Sequence, residues 1–353
     1  MKRLRRLRWF PGGAVRGICG IGSDVEAGKI RKVYLDASSQ QDKAHQHLKT
    51  KNSTSHFNET SEGNIMSTGN FSLASKVKLS SGKLMPQIQL GLYQMSGREA
   101  RSSVRWALAS GYQGFDSAQM YRNEKEAGQG IREFLSSPEN TEGLKREDIF
   151  YTTKLVSNST SYEAVRQSIR QSVRACGLGY IDLLLLHSPF GGTEARLTTW
   201  RAVEDAVEEG QIKSAGVSNF GVRHIEELMA SHPRVKPAVN QIELHPFNTH
   251  TDIRAACAKH GIILEAYSPL AQAQRMKHPD IVVTAKKYKC TPAQLMVRWS
   301  LQHGFVPLPK STKRERLLEN ANIGWFEISK EDMELLDELD EGLVCDWDPT
   351  DAP

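Results

Sequence analysis

Short apolar segments alternate with longer amphipathic segments through most of the chain, and this alternation restricts the possible folds more than any other feature. Strand-like segments lie near residues 87–91, 113–116, 149–153, 181–186, 213–217, 237–241, 262–266 and 305–308. Helix-like segments follow them near residues 98–110, 123–136, 160–177, 199–210, 221–231, 250–260, 291–303 and 313–321. Eight strand–helix units in about 250 residues predict an α/β fold of the (β/α)8 type, a TIM barrel.

An open, doubly wound parallel sheet is the competing architecture, and it is disfavoured because no G-x-G-x-x-G sequence follows the first strand. Residues 76–79 and 84–86 flank a glycine-containing turn and predict a β-hairpin that caps the barrel at its N-terminal side. Two helix starts are also readable. Asn123 is expected to be an N-cap, and Thr160 with Glu163 forms a capping-box pattern.

Residues 1–65 differ in composition from the rest of the chain. They carry 12 Lys/Arg and 6 Asp/Glu, a balance of +6, whereas residues 66–353 carry 34 and 35, a balance of −1. The segment 38–64 is polar and is expected to be disordered, and the Arg-rich start resembles a mitochondrial presequence. We predict a dispensable or targeting-like extension over 1–65, which need not belong to the mature protein, and a barrel domain over 66–353. A cytoplasmic location is expected, with a mitochondrial one as the alternative.

Charge and cysteine content argue against several functional classes. Residues 66–353 are nearly neutral and lack the excess of Lys and Arg that is typical of nucleic-acid-binding proteins. No apolar run reaches the ~18 residues of a membrane span. The five cysteines are odd in number and contain no C-x-x-C pair, which predicts neither a disulfide framework nor a zinc site. We therefore expect a small-molecule substrate, no nucleic-acid or membrane partner, and a monomer by default, with a homodimer as the alternative.

Polar or aromatic side chains follow the predicted strands. In a parallel barrel the carboxyl ends of all strands meet at one mouth, where active sites lie. A single polar residue there is background, since loops are polar, but a full circle of them predicts a site. The residues at these ends include Tyr93, Asp116, Lys154, His187, Ser218, Asn219, Gln241, Tyr267, Ser268, Lys310 and Ser311.

Asp116, Tyr121, Lys154 and His187 form a coherent proton-transfer set. A tyrosine titrates near 10, and a neighbouring ammonium is expected to lower the pKa of Tyr121 while a carboxylate keeps the ammonium charged. A neutral histidine can orient a substrate carbonyl. Two donors on one carbonyl oxygen suit hydride delivery from a nicotinamide.

Metal-dependent hydrolysis is a rival interpretation, with His187, His245, Glu243 and Asp116 as imagined ligands. It is disfavoured because Glu243 and His245 lie beyond the strand end and Lys154 would add an unwelcome positive charge. We predict no metal.

The last strand leads into a basic segment. Lys310, Ser311 and the N-terminus of the next helix, with Arg316 further along, would suit a phosphate ester. Taken alone, an ordinary basic helix start on the surface is the simpler interpretation.

These residues carry a resemblance to the aldo-keto reductases across residues 71–345. The matching blocks, in order, are GYQGFDSAQMYRNE, DIFYTTKL, GYIDLLLLHSP, IKSAGVSNFG, PAVNQIELHP, EAYSPL, AQLMVRWSLQHG and VPLPKSTKRERLLEN. The stretch after His187 and the ending CDWDPTDAP are most similar to microbial, especially fungal, members. The resemblance implies a barrel that reduces aldehydes or ketones to alcohols with NADPH.

The resemblance also implies a role for each candidate residue. Tyr121 would be the general acid, Asp116 and Lys154 its tuning pair, and His187 the residue that orients the carbonyl. The 2′-phosphate contacts would favour NADPH over NADH. The implied cofactor contacts are Ser218, Asn219 and Gln241 at the nicotinamide carboxamide, Tyr267 on the ring, Ser268, Pro269 and Leu270 at the pyrophosphate, and Lys310, Ser311, Thr312, Arg316, Glu319 and Asn320 at the adenosine 2′-phosphate and adenine.

Tyr93, Val156 and Ser188 are the expected substrate contacts, and here the chain departs from the family. Many members carry Trp where this chain has Val156 and Ser188, so loss of two aromatic walls predicts a more open pocket. A non-catalytic NADPH-binding sensor or partner subunit is the alternative function. It would bind the cofactor without turnover, and the intact set of four catalytic residues argues against it.

Overall fold

The computed structural model of the chain describes residues 71–353, so the predictions for residues 1–65 lie outside it. The described part begins with the predicted hairpin, in which β1 (Lys76–Lys78) pairs antiparallel with β2 (Leu84–Pro86). The hairpin lies at the amino end of the sheet, where the Ser81 hydroxyl is 2.7 Å from that of Ser214. No helix in the described part is both long and apolar enough to cross a membrane.

A closed sheet of eight parallel strands forms the centre of the fold. In chain order the strands are β3 (Leu90–Gly91), β4 (Gly114–Asp116), β5 (Phe150–Leu155), β6 (Ile181–Leu186), β7 (Ile212–Ser218), β8 (Val239–Glu243), β9 (Ile263–Tyr267) and β10 (Val306–Pro307). The sheet closes where the N–H groups of Gln89 and Gly91 donate to the carbonyls of Pro307 and Pro309, at 3.2 Å each. The predicted (β/α)8 barrel is confirmed.

The helices surround the sheet. They are α1 (Gly97–Ala109), α2 (Glu124–Leu135), α3 (Tyr162–Cys176), α4 (Gly192–Glu208), α5 (Val222–Ala230), α6 (Thr251–His260), α7 (Pro279–Lys287), α8 (Pro292–Gln302), α9 (Arg314–Ala321) and α10 (Lys330–Asp337). The prediction placed the start of α4 seven residues too late, because its first turn contains no large apolar residue. It missed α7 and α10, which are short; α10 buries only Leu336, so its apolar periodicity is weak.

Two helix caps differ from expectation. The N-cap of α3 is Ser161, not Thr160, and its hydroxyl accepts from the N–H of Ala164. Asn123 does stand at the N-cap of α2, but its side chain makes no cap bond. Instead it accepts from the Ser117 hydroxyl and donates to the carbonyls of Leu92 and Met95. It therefore joins the loops that follow two neighbouring strands.

Strand β6 shows why a run can be apolar on both faces. Leu183 and Leu185 point into the barrel and pack in a cluster with Val77 and Met85 of the hairpin. The alternate leucines of β6 belong to the larger cluster between the sheet and the helices. Because side chains alternate across a strand, a strand of a closed barrel buries both of its faces.

A close contact between α2 and the end of α3 requires glycine at position 128. A Cβ on Gly128 would lie 1.8 Å from the carbonyl oxygen of Cys176. We expect Gly128→Ala to lower the free energy of unfolding by about 3 kcal/mol or more, because backbone must move to admit the methyl group. Chemical denaturation measures this. The control, Lys125→Ala on the exposed face of the same helix, should change it by less than about 0.5 kcal/mol; equal effects would contradict the packing argument.

Candidate active site

A cavity of about 770 Å³ opens at the carboxyl ends of the strands. This volume is in the usual range for small-molecule and cofactor sites. Most residues predicted for the site line it: Tyr93, Asp116, Tyr121, His187, Ser218, Asn219, Gln241, Tyr267, Ser268, Pro269, Leu270, Lys310, Arg316, Glu319 and Asn320. Lys154 lies just beneath the lining. Val156, Ser188, Ser311 and Thr312 are not part of the lining.

Lys154 organises the floor of the cavity. Its Nζ donates to Asp116 Oδ1 at 2.5 Å, to the Ser117 carbonyl at 3.0 Å and to the Tyr121 phenol oxygen at 3.1 Å. The side chains of Lys154 and Asp116 are 1% and 4% exposed, so the two buried charges compensate each other. All three N–H donors of the ammonium are used. Because one of them binds the phenol oxygen, the hydroxyl hydrogen of Tyr121 must point elsewhere.

The pKa of Tyr121 corrects one expectation. The nearby ammonium was expected to lower it, but burial and then the negative charge of Asp116 raise the pKa of Tyr121 well above its usual range. These two effects outweigh the ammonium because its partner Asp116 nearly neutralises the charge of Lys154. The phenol therefore keeps its proton at neutral pH, as a proton donor must before the reaction.

His187 follows β6, and its ring meets that of Tyr121 edge to face at 5.7 Å. Burial and then the charge of Lys154 lower the pKa of His187 to about 3, so the imidazole is neutral. Its Nδ1 is buried without a hydrogen-bond partner among residues 71–353. A buried N–H without an acceptor is less favourable than an unpaired acceptor nitrogen, so we assign the single hydrogen to Nε2. His187 can thus donate a hydrogen bond to a ligand.

A polar layer beneath the ion pair was not predicted. Gln241 Nε2 donates to Asp116 Oδ2 at 3.0 Å and to Glu265 Oε2 at 2.8 Å, while Gln89 Nε2 donates to Glu265 Oε1 at 2.7 Å. Burial, followed by the charge of Asp116, raises the pKa of Glu265 to about 8. A glutamate within an otherwise apolar strand, two residues before Tyr267, was the available sequence signal.

Side-chain contacts connect lining residues at the ends of neighbouring strands. Asn219 Nδ2 donates to the His187 carbonyl at 3.0 Å, and Tyr267 donates to Asn219 Oδ1 at 2.9 Å. The Ser218 hydroxyl donates to the Gln241 carbonyl at 2.8 Å. Both hydrogens of Gln241 Nε2 are donated, one to Asp116 and one to Glu265, whereas Gln241 Oε1 has no hydrogen-bond partner among the described residues. That oxygen remains available for a donor such as a ligand carboxamide.

Two cations line the part of the cavity that follows β10. Lys310 and Arg316 line it, and neither forms an ion pair with a described acidic residue. Glu319 and Asn320 lie beside them on α9. The hydroxyl of Ser311 accepts from the N–H of Lys313, so Ser311 shapes the turn that leads into this helix. A cavity lined by these two cations and by the carboxamide oxygen of Gln241 fits a phosphorylated dinucleotide.

The C-terminal segment supplies a wall that was not predicted. Asp346 and Trp347 line the cavity, and the Trp347 ring lies 6.1 Å from that of His187 and 5.7 Å from that of Phe190. Val156, in contrast, is 48% exposed. The aromatic surface that Val156 and Ser188 do not provide therefore comes from a tryptophan more than 150 residues away in sequence.

The four residues considered as metal ligands do not form one group among the described residues. Among the described residues, the close grouping of potential ligands is Glu243, His245 and Cys345, without His187 or Asp116. In this grouping His245 Nε2 is 2.9 Å from Glu243 Oε1, and the Cys345 N–H donates to the same oxygen at 2.8 Å. The arrangement holds the C-terminal segment against the end of β8.

Comparison with known proteins points in one direction. Residues 87–341 match the sequence model described as the aldo/keto reductase family. An uncharacterized oxidoreductase of Schizosaccharomyces pombe is 47% identical over 281 residues, covering 80% of this chain and 99% of that protein. The glyoxal reductase of Bacillus subtilis is 41% identical, covering 76% and 94%. The structure of a Bombyx mori aldo-keto reductase in complex with NADP is similar with a TM-score of 0.72 and 30% identity, covering 77% and 94%.

The raised pKa of Glu265 predicts a pH dependence of stability. A glutamate with a folded-state pKa of about 8 instead of 4.5 binds more protons when folded. Its contribution is fully present below pH 4.5 and is lost as pH rises towards 8. We expect the free energy of unfolding of the wild type to fall, relative to Glu265→Gln, between pH 5 and pH 9.

Chemical denaturation at several pH values measures this difference. The matched control is Glu142→Gln at an exposed position, whose difference from the wild type should not change with pH. A difference between Glu265→Gln and the wild type that is independent of pH would contradict a raised pKa.

Proposed function

Because the chain belongs to the aldo/keto reductase family and is an NADPH-dependent oxidoreductase, we propose that it reduces aldehydes and ketones to alcohols with Tyr121 as the general acid. The observation that carries the proposal is the hydrogen-bonded row Asp116–Lys154–Tyr121 at the floor of the cavity. The neutral imidazole of His187 beside it supplies a second donor. The likeness to a glyoxal reductase favours small aldehydes and dicarbonyls among the substrates.

When bound, NADPH supplies the hydride that reduces the carbonyl carbon. The residues of the chain act on the carbonyl oxygen of the substrate. Tyr121 and His187 Nε2 both donate to the substrate oxygen, so negative charge that develops there is stabilised by two fixed donors. Tyr121 then gives its proton to that oxygen, and the Lys154 ammonium, 3.1 Å from the phenol oxygen, stabilises the phenolate left behind.

Asp116 acts through Lys154. Its carboxylate keeps the buried ammonium charged and aimed at the phenol oxygen, and Gln241 fixes the second carboxylate oxygen. Without Asp116 an isolated buried ammonium would favour its neutral form, and the phenolate would lose its counter-charge. We therefore assign positioning roles to Asp116 and Lys154, and direct contact with the substrate to Tyr121 and His187.

We propose that NADPH lies along the remainder of the cavity. Support comes from Gln241 Oε1, which has no hydrogen-bond partner among the described residues, and from Lys310 and Arg316, which have no ion-pair partner there. The nicotinamide would lie against Tyr267, with Ser218, Asn219 and Gln241 at its carboxamide. The remaining proposed contacts are Ser268, Pro269 and Leu270 at the pyrophosphate, and Lys310, Ser311, Thr312, Arg316, Glu319 and Asn320 at the phosphorylated adenosine.

The general-acid assignment predicts a selective loss in Tyr121→Phe. The variant keeps the ring but has no proton to donate, so we expect kcat to fall by about 10²- to 10⁴-fold. The variant should still bind NADPH, which is measured from the fluorescence of the bound cofactor. Turnover is measured as oxidation of NADPH with simple aldehydes, α-keto esters and sugars as substrates. The same assays are repeated with NADH as the control cofactor.

Tyr180→Phe is the matched control, because it removes a phenol hydroxyl from the residue before β6, at the amino end of the barrel. Near-normal kcat in Tyr121→Phe would refute the acid assignment. Tight NADPH binding by the wild type without turnover of any carbonyl would instead favour a non-catalytic cofactor-binding role.

The cofactor assignment predicts that Arg316→Ala weakens NADPH selectively. Loss of one or two charge-assisted hydrogen bonds to the 2′-phosphate, about 1.5–3 kcal/mol, should raise KM for NADPH about 10- to 100-fold. KM for NADH, which lacks that phosphate, should stay within about 2-fold. Arg314→Ala, an exposed arginine on the same helix that does not line the cavity, is the control. Equal effects on both cofactors would contradict the assignment.

A further inference from the structure

The carboxylate of Asp346 stands at the substrate end of the cavity, and the reaction proposed above makes no use of it. We propose that Asp346 is a specificity-determining residue that disfavours anionic substrates, so that the reductase takes neutral or cationic aldehydes and ketones in preference to oxo acids. This inference rests on the proposed function and adds the charge class of the substrate to it.

Asp346 lies close to the reacting groups. The hydroxyl of Tyr93 donates to Asp346 Oδ1 at 3.4 Å, and the Tyr93 ring lies 5.1 Å from that of Tyr121. The next residue, Trp347, contacts the His187 ring. A carbonyl whose oxygen is bound by Tyr121 and His187 would therefore have its substituents beside Asp346 and Trp347. Asp346 is also among the charges that raise the pKa of Tyr121, so its field reaches the phenol.

The backbone around Asp346 is fixed to the strand ends. The N–H groups of Cys345 and Asp346 donate to the two carboxylate oxygens of Glu243, at 2.8 and 3.3 Å. The Tyr267 hydroxyl, whose one hydrogen is shared with Asn219 Oδ1, lies 3.3 Å from the carbonyl of Trp347. Glu243, at the end of β8, is buried and adds a second negative charge behind the first. The carboxylate is therefore held at the rim by contacts on both sides of it in the chain.

None of the described residues forms an ion pair with Asp346. The cations that line the cavity, Lys310 and Arg316, follow β10, and the buried Lys154 is paired with Asp116. His187 is neutral because burial lowers its pKa to about 3. Burial, and then the negative charge of Glu243, raise the pKa of the Asp346 carboxyl above its usual range, while the hydrogen bond from Tyr93 favours its charged form.

The expected size of the effect is modest, because Asp346 is exposed to solvent. Two like charges about 6 Å apart, at an effective dielectric constant of about 40, repel enough to change binding about 10-fold. Salt at about 0.5 M, where the Debye length is about 4 Å, should remove most of the difference. A charge effect is thereby separated from a change of shape.

The test compares the wild type with Asp346→Asn on three para-substituted benzaldehydes that carry a carboxylate, a methyl ester or a trimethylammonium group. Each compound is compared with itself across variants, so differences in intrinsic reactivity cancel. We expect Asp346→Asn to raise kcat/KM about 10-fold for the carboxylate, to change it less than about 2-fold for the ester and to lower it several-fold for the cation. The gain for the carboxylate should shrink at about 0.5 M salt.

Asp351→Asn is the matched control, because it removes one negative charge from the same exposed segment outside the cavity lining. It should leave all three compounds unchanged. An unaltered ratio of carboxylate to ester in Asp346→Asn would overturn the inference. An equal loss for all three compounds would overturn it too, because that result assigns Asp346 a purely structural role.

A binding measurement keeps the inference separate from the proposed reaction. Benzoate is titrated into the NADPH-loaded protein while tryptophan fluorescence is followed, and Asp346→Asn should lower its Kd about 10-fold. Absence of turnover in the wild type would refute the reductase without touching this result. An unchanged Kd would refute the role of Asp346 even in an active reductase.

Discussion

The buried contact between Lys154 and Asp116 is the interaction on which the rest of the site depends. A single charge buried in a barrel costs several kcal/mol, so neither side chain could occupy the interior alone. Neighbouring parallel strands, β4 and β5, bring the two together at 2.5 Å. Once Asp116 compensates the ammonium, Lys154 can keep one N–H on the Tyr121 oxygen, and the phenol is both oriented and supplied with a counter-charge.

Burial also determines the protonation states of the groups around this ion pair. Glu265 lies near the Asp116 carboxylate through the shared Gln241 amide, and a second buried negative charge there is unfavourable, so its pKa rises. His187 stays neutral because burial, and then the charge of Lys154, lowers its pKa. Tyr121 keeps its proton because burial, and then the negative charge of Asp116, raises its pKa. One compensated pair, surrounded by groups that burial keeps neutral, gives a site with proton donors and little net charge.

The charges that line the cavity differ in sign. Lys310 and Arg316 line it after β10 without ion-pair partners among the described residues, whereas Asp346, with Glu243 behind it, lines it beside Tyr93. We propose that an anionic ligand is favoured at the two cations and disfavoured at Asp346. Tyr121 and His187, which burial keeps neutral, are where both ligands of the proposed reductase would meet.

The sequence by itself determined the repeating units, and with them the barrel and the strand ends that carry Asp116, Lys154 and His187. These features follow from local periodicity and from the rule that parallel strands share one carboxyl edge. It could not give the pKa of Tyr121, whose direction depends on burial, or the role of Asn123, whose partners lie in other loops. Gln241 and Asp116 are 125 residues apart, and Asp346 and Glu243 are 103 apart. Only the tertiary structure decided these contacts, because pairing, burial and charge compensation between distant segments leave no local pattern in the chain.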